Sequence, residues 1–357
     1  MRNFRGPLIA ALVAKGIEVH ALAPDYDEPD RAAIRALGAT PLDYPLRRAG
    51  ISPVGDVQST LTLVRLLRGI NPDVVLSFSA KPVIYGTLAA AIAGVPRRYA
   101  LVEGLGHAFL GGPGLKSRLL QATVSALYRF SLGLATTTFF LNSDDLGDFI
   151  AAGLVRRDKA ERIGAIGIDL ASWAATPPVT APLTFLFVGR LLREKGIFEF
   201  IDAARAVHAK HPATRFVVLG APDSNPSSIG AEQMRAWVAE GFVAWPGHVE
   251  VKPFLANASV FVLPSYREGV PRSTQEAMAM AKPVITTDVP GCRDTVIEGD
   301  NGFLVAAKSA AAIETAMLRF VDNPALVASM GARSRQLAED RFDVDKANAR
   351  IMAAMSL

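Results

Sequence analysis

The stretch Ala258–Met278, ASVFVLPSYREGVPRSTQEAM, determines the fold of the second half of this chain. Residues 258–263 form a short, continuously apolar run, which is typical of a strand buried in a parallel sheet. Pro264 ends that strand. The turn Gly269-Val270-Pro271 then leads into a helix that we predict to begin near Ser273. The stretch therefore predicts one strand–loop–helix unit of an α/β fold.

Two carboxylates flank this turn, Glu268 in the loop and Glu276 in the first turns of the helix. Open α/β sheets bind ligands beyond the carboxyl ends of their strands. The amino-terminal amides and positive dipole end of a helix suit a phosphate, whereas carboxylates suit hydroxyl groups. A ligand that carries both groups is a nucleotide sugar. The two glutamates alone leave open an ordinary capping role for Glu276, with Glu268 solvated in a loop.

A second stretch, FVGRLLREKG over 187–196, repeats this arrangement. The predicted strand ends at Gly189, where the missing Cβ lets a ligand approach the backbone. Arg190 and Lys195 flank the next loop and suit a diphosphate. The planar guanidinium of Arg190 can donate two parallel hydrogen bonds, and the ammonium group of Lys195 supplies a compact positive charge. In isolation the loop could be a basic surface turn. Because both loops follow strands of one predicted sheet, we favour a shared site.

Composition excludes several classes of protein. The 357 residues are 50% hydrophobic and 20% charged, as expected for a globular protein of two or three domains. The single cysteine, Cys292, excludes a disulfide framework and a thiolate metal cluster, and favours a reducing cytoplasm. The sequence contains no uncharged run of about 18 apolar residues, so it predicts no transmembrane helix. The amino terminus does not resemble a secretory signal.

The net charge of +4 lies in the first half, where residues 1–174 hold 19 basic and 15 acidic side chains. With no basic helix or aromatic–basic platform, this small excess gives nucleic-acid binding little support. The triplets Asp25-Tyr26-Asp27 and Asp343-Val344-Asp345 mimic a metal motif. We interpret them as an acidic loop and a helix cap, and we expect no metal site.

Strands and helices alternate along both halves, which predicts doubly wound parallel sheets. We predict a first domain over 1–174 and a second over 175–340, because residues 176–182 are rich in Pro and Thr. A final helix within 341–357 should return to the first domain. Two such domains facing one another would leave a cleft between them.

The first half opens with a helix, although a doubly wound half normally begins with a strand. We therefore expect the first strand of this domain to be missing, with its neighbours left with unpaired backbone groups. A misplaced start codon or a truncation would explain this. An in-frame apolar strand and a Gly-containing loop should then be encoded within about 20 upstream codons.

Three features resemble the retaining family 4 glycosyltransferases, whose GT-B fold pairs two Rossmann-like domains across a cleft. They are Gly189-Arg190…Lys195-Gly196, Leu263-Pro264-Ser265…Glu268-Gly269 and the Glu-x7-Glu spacing. Segments 3–9 and 100–106 are similar to a bacterial subgroup that extends polyprenyl-diphosphate-linked sugars for capsule, O-antigen or protein N-glycans. The resemblance covers essentially the whole chain.

This resemblance implies a role for each residue on the donor side. Arg190 and Lys195 would neutralise the donor diphosphate, so that no metal or other cofactor is needed. Glu268 would hold the hydroxyls of the donor sugar, and Glu276 the ribose diol. The remaining donor contacts would be Gly189, the backbone of Gly269, Val270 and Pro271, and the turn at His248 beside the base.

The acceptor side depends on the loop after the predicted strand 98–102. Glu103 and His107 are the candidate catalytic residues there, although a loop histidine can be merely solvated. Gly104-x-Gly106 is not a dinucleotide fingerprint, because Phe109 stands where the third glycine is required. The basic and apolar helix over 116–132 could lie on an anionic membrane, with an ordinary core-packing helix as the alternative.

The sequence therefore predicts a metal-independent hexosyl- or N-acetylhexosaminyltransferase. It would use a UDP-sugar donor and a polyprenyl-diphosphate-linked saccharide acceptor, in the cytoplasm or peripherally on the inner face of the cytoplasmic membrane. One alternative is an N-terminally truncated, catalytically impaired protein that binds sugar nucleotides. Another is a sugar-nucleotide epimerase, which shares the architecture but not the Glu-x7-Glu pattern.

Overall fold

A computed structural model describes residues 2–24, 26–46, 52–104, 114–223, 225 and 227–357. The chain forms two compact units, one ending at Ile166 and the other spanning Gly167–Val344, and residues 345–357 rejoin the first. The boundary lies close to the one predicted at 174–175 from linker composition. The acceptor and donor roles of the two halves stay predictions.

The first unit alternates helices and strands, as the sequence predicts. Its elements are α1 Arg2–Ala14, β1 His20–Ala23, α2 Glu28–Ala36, β2 Thr40–Asp43, α3 Pro53–Ile70, β3 Val74–Phe78, a π-helical turn Pro82–Gly86, α4 Thr87–Ala93, β4 Arg97–Val102, α5 Leu115–Leu134, β5 Thr137–Phe140, α6 Ser143–Ala151 and β6 Ala160–Arg162.

The described strands of this unit form two separate parallel sheets. β1 pairs with β2, and β3, β4, β5 and β6 pair in that order. The core lies over the larger sheet, where Tyr128 and Phe140 pack edge-on against Phe149 with ring centroids 5.3 and 5.1 Å apart. One doubly wound sheet is therefore split between β1 and β3.

The second unit restarts the alternation. Its elements are β7 Thr184–Val188, α7 Ile197–Lys210, β8 Arg215–Leu219, α8 Ala231–Ala239, β9 Val243–Gly247, α9 Lys252–Ala256, β10 Val260–Leu263, α10 Arg272–Ala279, β11 Val284–Thr287, β12 Gly302–Val305, α11 Ala310–Asp322, α12 Ala325–Arg341 and α13 Val344–Ala354, the last of which enters the first unit.

The second unit has one continuous parallel sheet with the order β12-β11-β10-β7-β8-β9. β10 is fully buried, as its apolar run predicts, and pairs with β7 on one side and β11 on the other. Successive strands proceed outward from β7 in one direction and from β10 in the other. The strand order therefore reverses between β7 and β10, where sheets of this kind bind nucleotides.

The carboxyl-terminal segment is anchored on the first unit. The hydroxyl of Tyr99 and the guanidinium of Arg97 both donate to the carbonyl oxygen of Met355 at 3.3 Å. Arg350 donates from Nε to the carbonyl oxygen of Ile163 at 3.2 Å. Within the described part of the chain, no helix combines the length and apolarity that a membrane span requires.

Candidate functional site

A lysine and a glutamate meet where the strand order reverses. Lys195 ends the short turn that follows β7, and Glu268 lies in the loop that follows β10. The ammonium group of Lys195 contacts Oε1 of Glu268. Their side chains are only 18% and 13% exposed, so the pair is partly withdrawn from solvent. The structure thus brings together the two loops that the sequence analysis singled out.

The loops approach each other closely because Gly196 has no side chain. Its φ of +74° lies in the left-handed region, and a Cβ there would lie 2.1 Å from the carbonyl oxygen of Pro264. The amide of Tyr266 donates to the carbonyl oxygen of Glu194 at 2.8 Å. Ser265 completes the arrangement by donating from Oγ to Oε1 of Glu268 at 2.8 Å.

The three adjacent strands β7, β8 and β9 end at glycines on the same edge of the sheet, and we call the row of Gly189, Gly220 and Gly247 the glycine edge. Gly189 donates to the carbonyl oxygen of Leu219 at 3.1 Å, and Gly220 donates to that of Gly247 at 2.9 Å. A Cβ on Gly220 would lie 1.9 Å from the carbonyl oxygen of Gly189, whereas a Cβ on Gly189 would meet nothing closer than 3.5 Å. Packing therefore requires glycine at 220 but not at 189, where the open backbone suits a ligand.

Gly220 lies at this edge of the sheet beside Gly189, and the sequence analysis did not single it out. The signal was present, since Gly220 follows the apolar run of β8 in the same way that Gly189 follows β7.

Arg190 lies at this edge but has a different carboxylate partner. Its guanidinium donates from Nη1 to Oδ2 of Asp223 at 3.2 Å, and the side chain is 61% exposed. The amide of Asn225 donates to Oδ1 of Asp223 at 2.9 Å. Asp223 therefore competes with any anion for Arg190. The two residues are 33 positions apart in the sequence, so local sequence patterns do not reveal their contact.

Glu276 is held along its own helix and does not cap it. Arg272 donates from Nε to Oε1 of Glu276 at 2.8 Å, while the N-cap position is Pro271, which has no capping side chain. Burial raises the pKa of Glu276, and the charges of Arg272 and Lys252 oppose that shift. The capping alternative is therefore wrong for Glu276.

The turn between the two glutamates is fixed from the helix. Gln275 is buried and donates from Nε2 to the carbonyl oxygen of Val270 at 3.1 Å. Gly269 and Pro271 flank that carbonyl. His248 is exposed in the turn after β9, next to the glycine edge. The donor-side residues predicted from the sequence thus lie on neighbouring strand ends of one sheet.

Glu103 occupies the corresponding strand end of the first unit. Arg5 donates from Nη2 to Oε1 of Glu103 at 2.5 Å, and Ser79 donates from Oγ to Oε2 at 3.0 Å. Arg5 is buried with its guanidinium 4.5 Å from the ring centroid of Phe78. Burial lowers the pKa of Arg5, and the charge of Glu103 opposes that effect. The sequence analysis missed Arg5, whose partner is 98 residues away.

Some predictions fall on residues that the structure does not describe. His107, Gly106 and Phe109 lie outside the described residues, as does Asp25. Asp27, the other carboxylate of the first Asp-x-Asp triplet, caps α2 by accepting from the amide of Asp30 at 2.7 Å.

Comparison with known proteins identifies the family. The protein-family model "Glycosyl transferases group 1" matches residues 182–323, and the protein-family model "Glycosyl transferase 4-like domain" matches residues 2–165. The N,N'-diacetylbacillosaminyl-diphospho-undecaprenol alpha-1,3-N-acetylgalactosaminyltransferase of Campylobacter jejuni is 30% identical over 86% of this chain and 83% of its own length. This chain belongs to the family 4-like, group 1 glycosyltransferases.

Two further proteins extend the comparison. The capsular polysaccharide biosynthesis glycosyltransferase CapM of Staphylococcus aureus is 25% identical over 94% of this chain and 88% of its own. The structure of Anabaena HepE in complex with UDP and glucose superposes with a TM-score of 0.76 at 17% identity, covering 98% of this chain and 94% of that one. The family and the GT-B fold that the sequence resemblance implied are both confirmed.

The burial of Glu276 predicts a pH-dependent effect on stability. Because its folded pKa lies above the ordinary value of 4.5, ionisation opposes folding. The contribution of the protonated Glu276 carboxyl group to stability is fully present below about pH 4.5 and is lost as the pH rises through the raised folded pKa. Glu276→Gln should therefore melt at the same temperature as the wild type in acid and at a higher temperature at pH 8, as measured by calorimetry.

Glu240→Gln is the matched control with the opposite sign. Hydrogen bonding to Arg205 lowers the pKa of Glu240. The contribution of Glu240 to stability is present above the unfolded pKa and is lost as the pH falls through the folded pKa. Glu240→Gln should therefore be less stable than the wild type at pH 8. A Glu276→Gln protein that is less stable than the wild type at pH 8 would contradict the account of this buried carboxylate.

Proposed function

We propose that this chain transfers a hexose or N-acetylhexosamine from a UDP-sugar to a polyprenyl-diphosphate-linked saccharide. The observation that carries the proposal is the contact between Lys195 and Glu268 at the reversal of strand order. The name of the Campylobacter relative supports the acceptor class. The UDP and glucose bound to HepE support the donor class.

Charge explains why a diphosphate would bind here. Lys195 is balanced by Glu268 before the donor arrives, and a diphosphate would draw the ammonium group toward its oxygens. Arg190 would supply a second cation on leaving Asp223. The first amides of α10 lack a side-chain cap and face the same edge, where they suit phosphate oxygens. These cations and amides would supply the charge that a metal provides in other glycosyltransferases.

The hydroxyl groups of the donor would bind the two glutamates. Once Lys195 moves toward the diphosphate, Glu268 can accept hydrogen bonds from the sugar while Ser265 keeps the carboxylate oriented. Glu276 would accept from the ribose diol. The turn formed by Gly269, Val270 and Pro271 would line the sugar and phosphate, and the base would lie on the glycine edge beside His248.

The reaction would retain the anomeric configuration by attack on the face of the sugar that the diphosphate leaves. The bond from the anomeric carbon to the diphosphate oxygen breaks while the bond to the acceptor oxygen forms. The acceptor proton passes to the departing diphosphate oxygen, so no strong protein base is needed. The protein contributes positioning and stabilisation of the charge on the leaving group.

The acceptor would approach Glu103 and His107, which remain the candidate catalytic residues on that side. Arg5 forms an ion pair with Oε1 of Glu103, and the carboxylate would also accept a hydrogen bond from an acceptor hydroxyl.

Glu268→Gln tests the proposed transfer. The amide keeps the shape of the side chain but loses the charged acceptor for sugar hydroxyls. Turnover should therefore fall by about a hundredfold, measured as UDP release with a panel of UDP-sugars and polyprenyl-diphosphate-linked saccharides. Glu314→Gln removes the carboxylate of another lysine–glutamate pair in the same unit, with Lys210 at 2.8 Å, and should leave turnover unchanged.

Wild-type turnover in Glu268→Gln would refute the role assigned to that carboxylate. Donor binding by the wild type without any UDP release would instead favour the impaired sugar-nucleotide-binding protein as the function of this chain.

A lipid-linked acceptor would bring this chain to a membrane surface, and α5 is suited to bind one. The helix carries three basic residues and no acidic residue. Leu115, Leu119 and Phe130 are 84%, 68% and 62% exposed. Tyr128 and Leu132 pack into the core, so the core-packing alternative fits the carboxyl-terminal half of α5. We propose that the exposed amino-terminal half binds anionic lipid at the cytoplasmic face.

Replacing Leu115 and Leu119 together with Ser should weaken binding to phosphatidylglycerol vesicles by about tenfold or more, because two exposed leucines no longer enter the interface. Sedimentation with vesicles measures this. Val238→Ser, which changes an exposed apolar residue of the second unit, should leave binding unchanged. Equal binding of the wild type to anionic and neutral vesicles would rule out the electrostatic contribution.

A further inference from the structure

The exposed apolar side chains of the first unit are concentrated on one layer of helices. Among its described residues, eight of the nine large apolar side chains that are exposed lie on α3, α4 and α5. These helices pack side by side, α3 against α4 and α4 against α5. The proposed function uses only the amino-terminal half of α5. Six of the eight side chains belong to two groups, which are Val54, Val57 and Leu61 on α3 and Leu115, Leu119 and Leu120 on α5.

The group on α3 forms a continuous stripe. Residues 54, 57 and 61 are spaced by three and four positions, so they lie on one face of the helix. Their side chains are 83%, 60% and 51% exposed. Another face of α3 packs into the core through Leu63 and Leu67. We call Val54, Val57 and Leu61 the α3 stripe, an apolar surface that the described chain leaves in water.

A buried ion pair fixes the α3 stripe at the carboxyl edge of β3. Lys81, three residues after this strand ends, donates from Nζ to Oδ1 of Asp56 at 2.8 Å, and the two side chains are 16% and 3% exposed. The hydroxyl of Tyr85 donates to Oδ2 of Asp56 at 3.2 Å. Asp56 directly precedes the second residue of the stripe. The stripe is thus held at the edge of the sheet where Ser79 donates to Glu103.

The group on α5 lies at the same edge. Both α3 and α5 pack against the π-helical turn Pro82–Gly86, which follows β3. Val124 and Tyr128 of α5 belong to the core cluster that includes this turn. The preceding turns of α5 extend beyond that contact, and every residue from Arg118 to Thr123 is exposed. The two apolar groups therefore flank the π-helical turn.

The charge around the two groups selects an anionic partner. Residues 44–55 contain two arginines and no acidic residue, and residues 104–134 contain three basic residues and no acidic residue. The one carboxylate of α3, Asp56, is buried against Lys81. Basic residues beside exposed apolar residues are typical of helices that bind the interface of an anionic membrane. A protein partner would cover one face of α5, whereas a lipid interface can surround its exposed turns on all sides.

We propose that the α3 stripe is a second membrane contact, which enters an anionic lipid interface together with the amino-terminal half of α5. This inference rests on the proposed function, in which the acceptor is linked to a lipid. One contact would leave the first unit free to tilt, whereas two contacts that flank the π-helical turn fix its orientation. The edge that carries Glu103 and Ser79 would then face the lipid headgroups, where the diphosphate of a polyprenyl-linked acceptor lies.

A fluorescent probe tests whether the α3 stripe enters lipid. The only cysteine, Cys292, is buried, so Val57→Cys adds one accessible thiol that can carry the environment-sensitive NBD group. With phosphatidylglycerol vesicles, the emission of this probe should rise by about threefold or more and shift to shorter wavelength, because the probe leaves water. Ile92→Cys is the matched control. Ile92 is 50% exposed near the end of α4, which leads to the start of β4 at the opposite edge, so its probe should not change.

Vesicle sedimentation gives a second measurement. Replacing Val54 and Val57 together with Ser should weaken binding to phosphatidylglycerol vesicles by about tenfold, because two apolar side chains no longer enter the interface. Ile92→Ser should leave binding unchanged. Both proteins should keep the wild-type melting temperature, because the replaced side chains are exposed. Both should also keep the wild-type rate of UDP release with a water-soluble, short-chain acceptor.

Unchanged emission at position 57 in the presence of vesicles, or equal changes at positions 57 and 92, would overturn the proposal. So would a failure of the wild type to bind these vesicles. A probe at position 57 that is already shielded without vesicles, at concentrations where the protein sediments as a dimer, would overturn it as well, since a second copy would then cover the stripe. Absence of UDP release by the wild type would instead contradict the proposed function.

Discussion

The proposed donor site of this glycosyltransferase is organised by the contact of Lys195 with Glu268 at the reversal of strand order. The strand order proceeds outward from β7 and from β10 in opposite directions, and the loops that follow these two parallel strands lie at the same edge of the sheet. Gly196 lets one loop touch the backbone of the other. Opposite charges can therefore be held close together at the position where an anionic, hydroxyl-rich donor is proposed to bind.

Features encoded locally were predictable from the sequence. Strand ends, turns and helix starts are set by a few neighbouring residues, so the loops containing Lys195 and Glu268 could be found and assigned to one sheet. The glycine edge was predictable in part, because Gly220 follows an apolar run as Gly189 does. Partners distant in sequence were not predictable: Asp223 beside Arg190 and Arg5 beside Glu103 depend on how the sheets assemble.

The helix α12 shows a second limit of sequence reasoning. The buried positions of α12 explain why its sequence signal is weak. They include Gly331 and Ser334 among the apolar residues, so the apolar period of a buried helix face is interrupted. Helix α12 packs against α10, which carries Glu276. An element with a weak sequence signal thus supports a helix with a strong one.

The described strands form two sheets in the first unit and one sheet in the second. The second unit has one continuous six-stranded sheet, and its predicted donor residues lie along a single edge. In the first unit the described strands form two sheets, and Arg5 and Ser79 line a cavity between them. Because the proposed donor residues all belong to the second unit, donor binding should survive changes to the first unit.

The most direct test of the account is the affinity of UDP and of uridine for the wild type and for Lys195→Met, measured by isothermal titration. The account predicts that the variant binds UDP at least about tenfold more weakly, since a charge-assisted contact with the diphosphate is lost. Uridine, which has no diphosphate, should bind both proteins equally. Unchanged UDP affinity, or an equal loss for uridine and UDP, would contradict the assignment of Lys195 to the diphosphate.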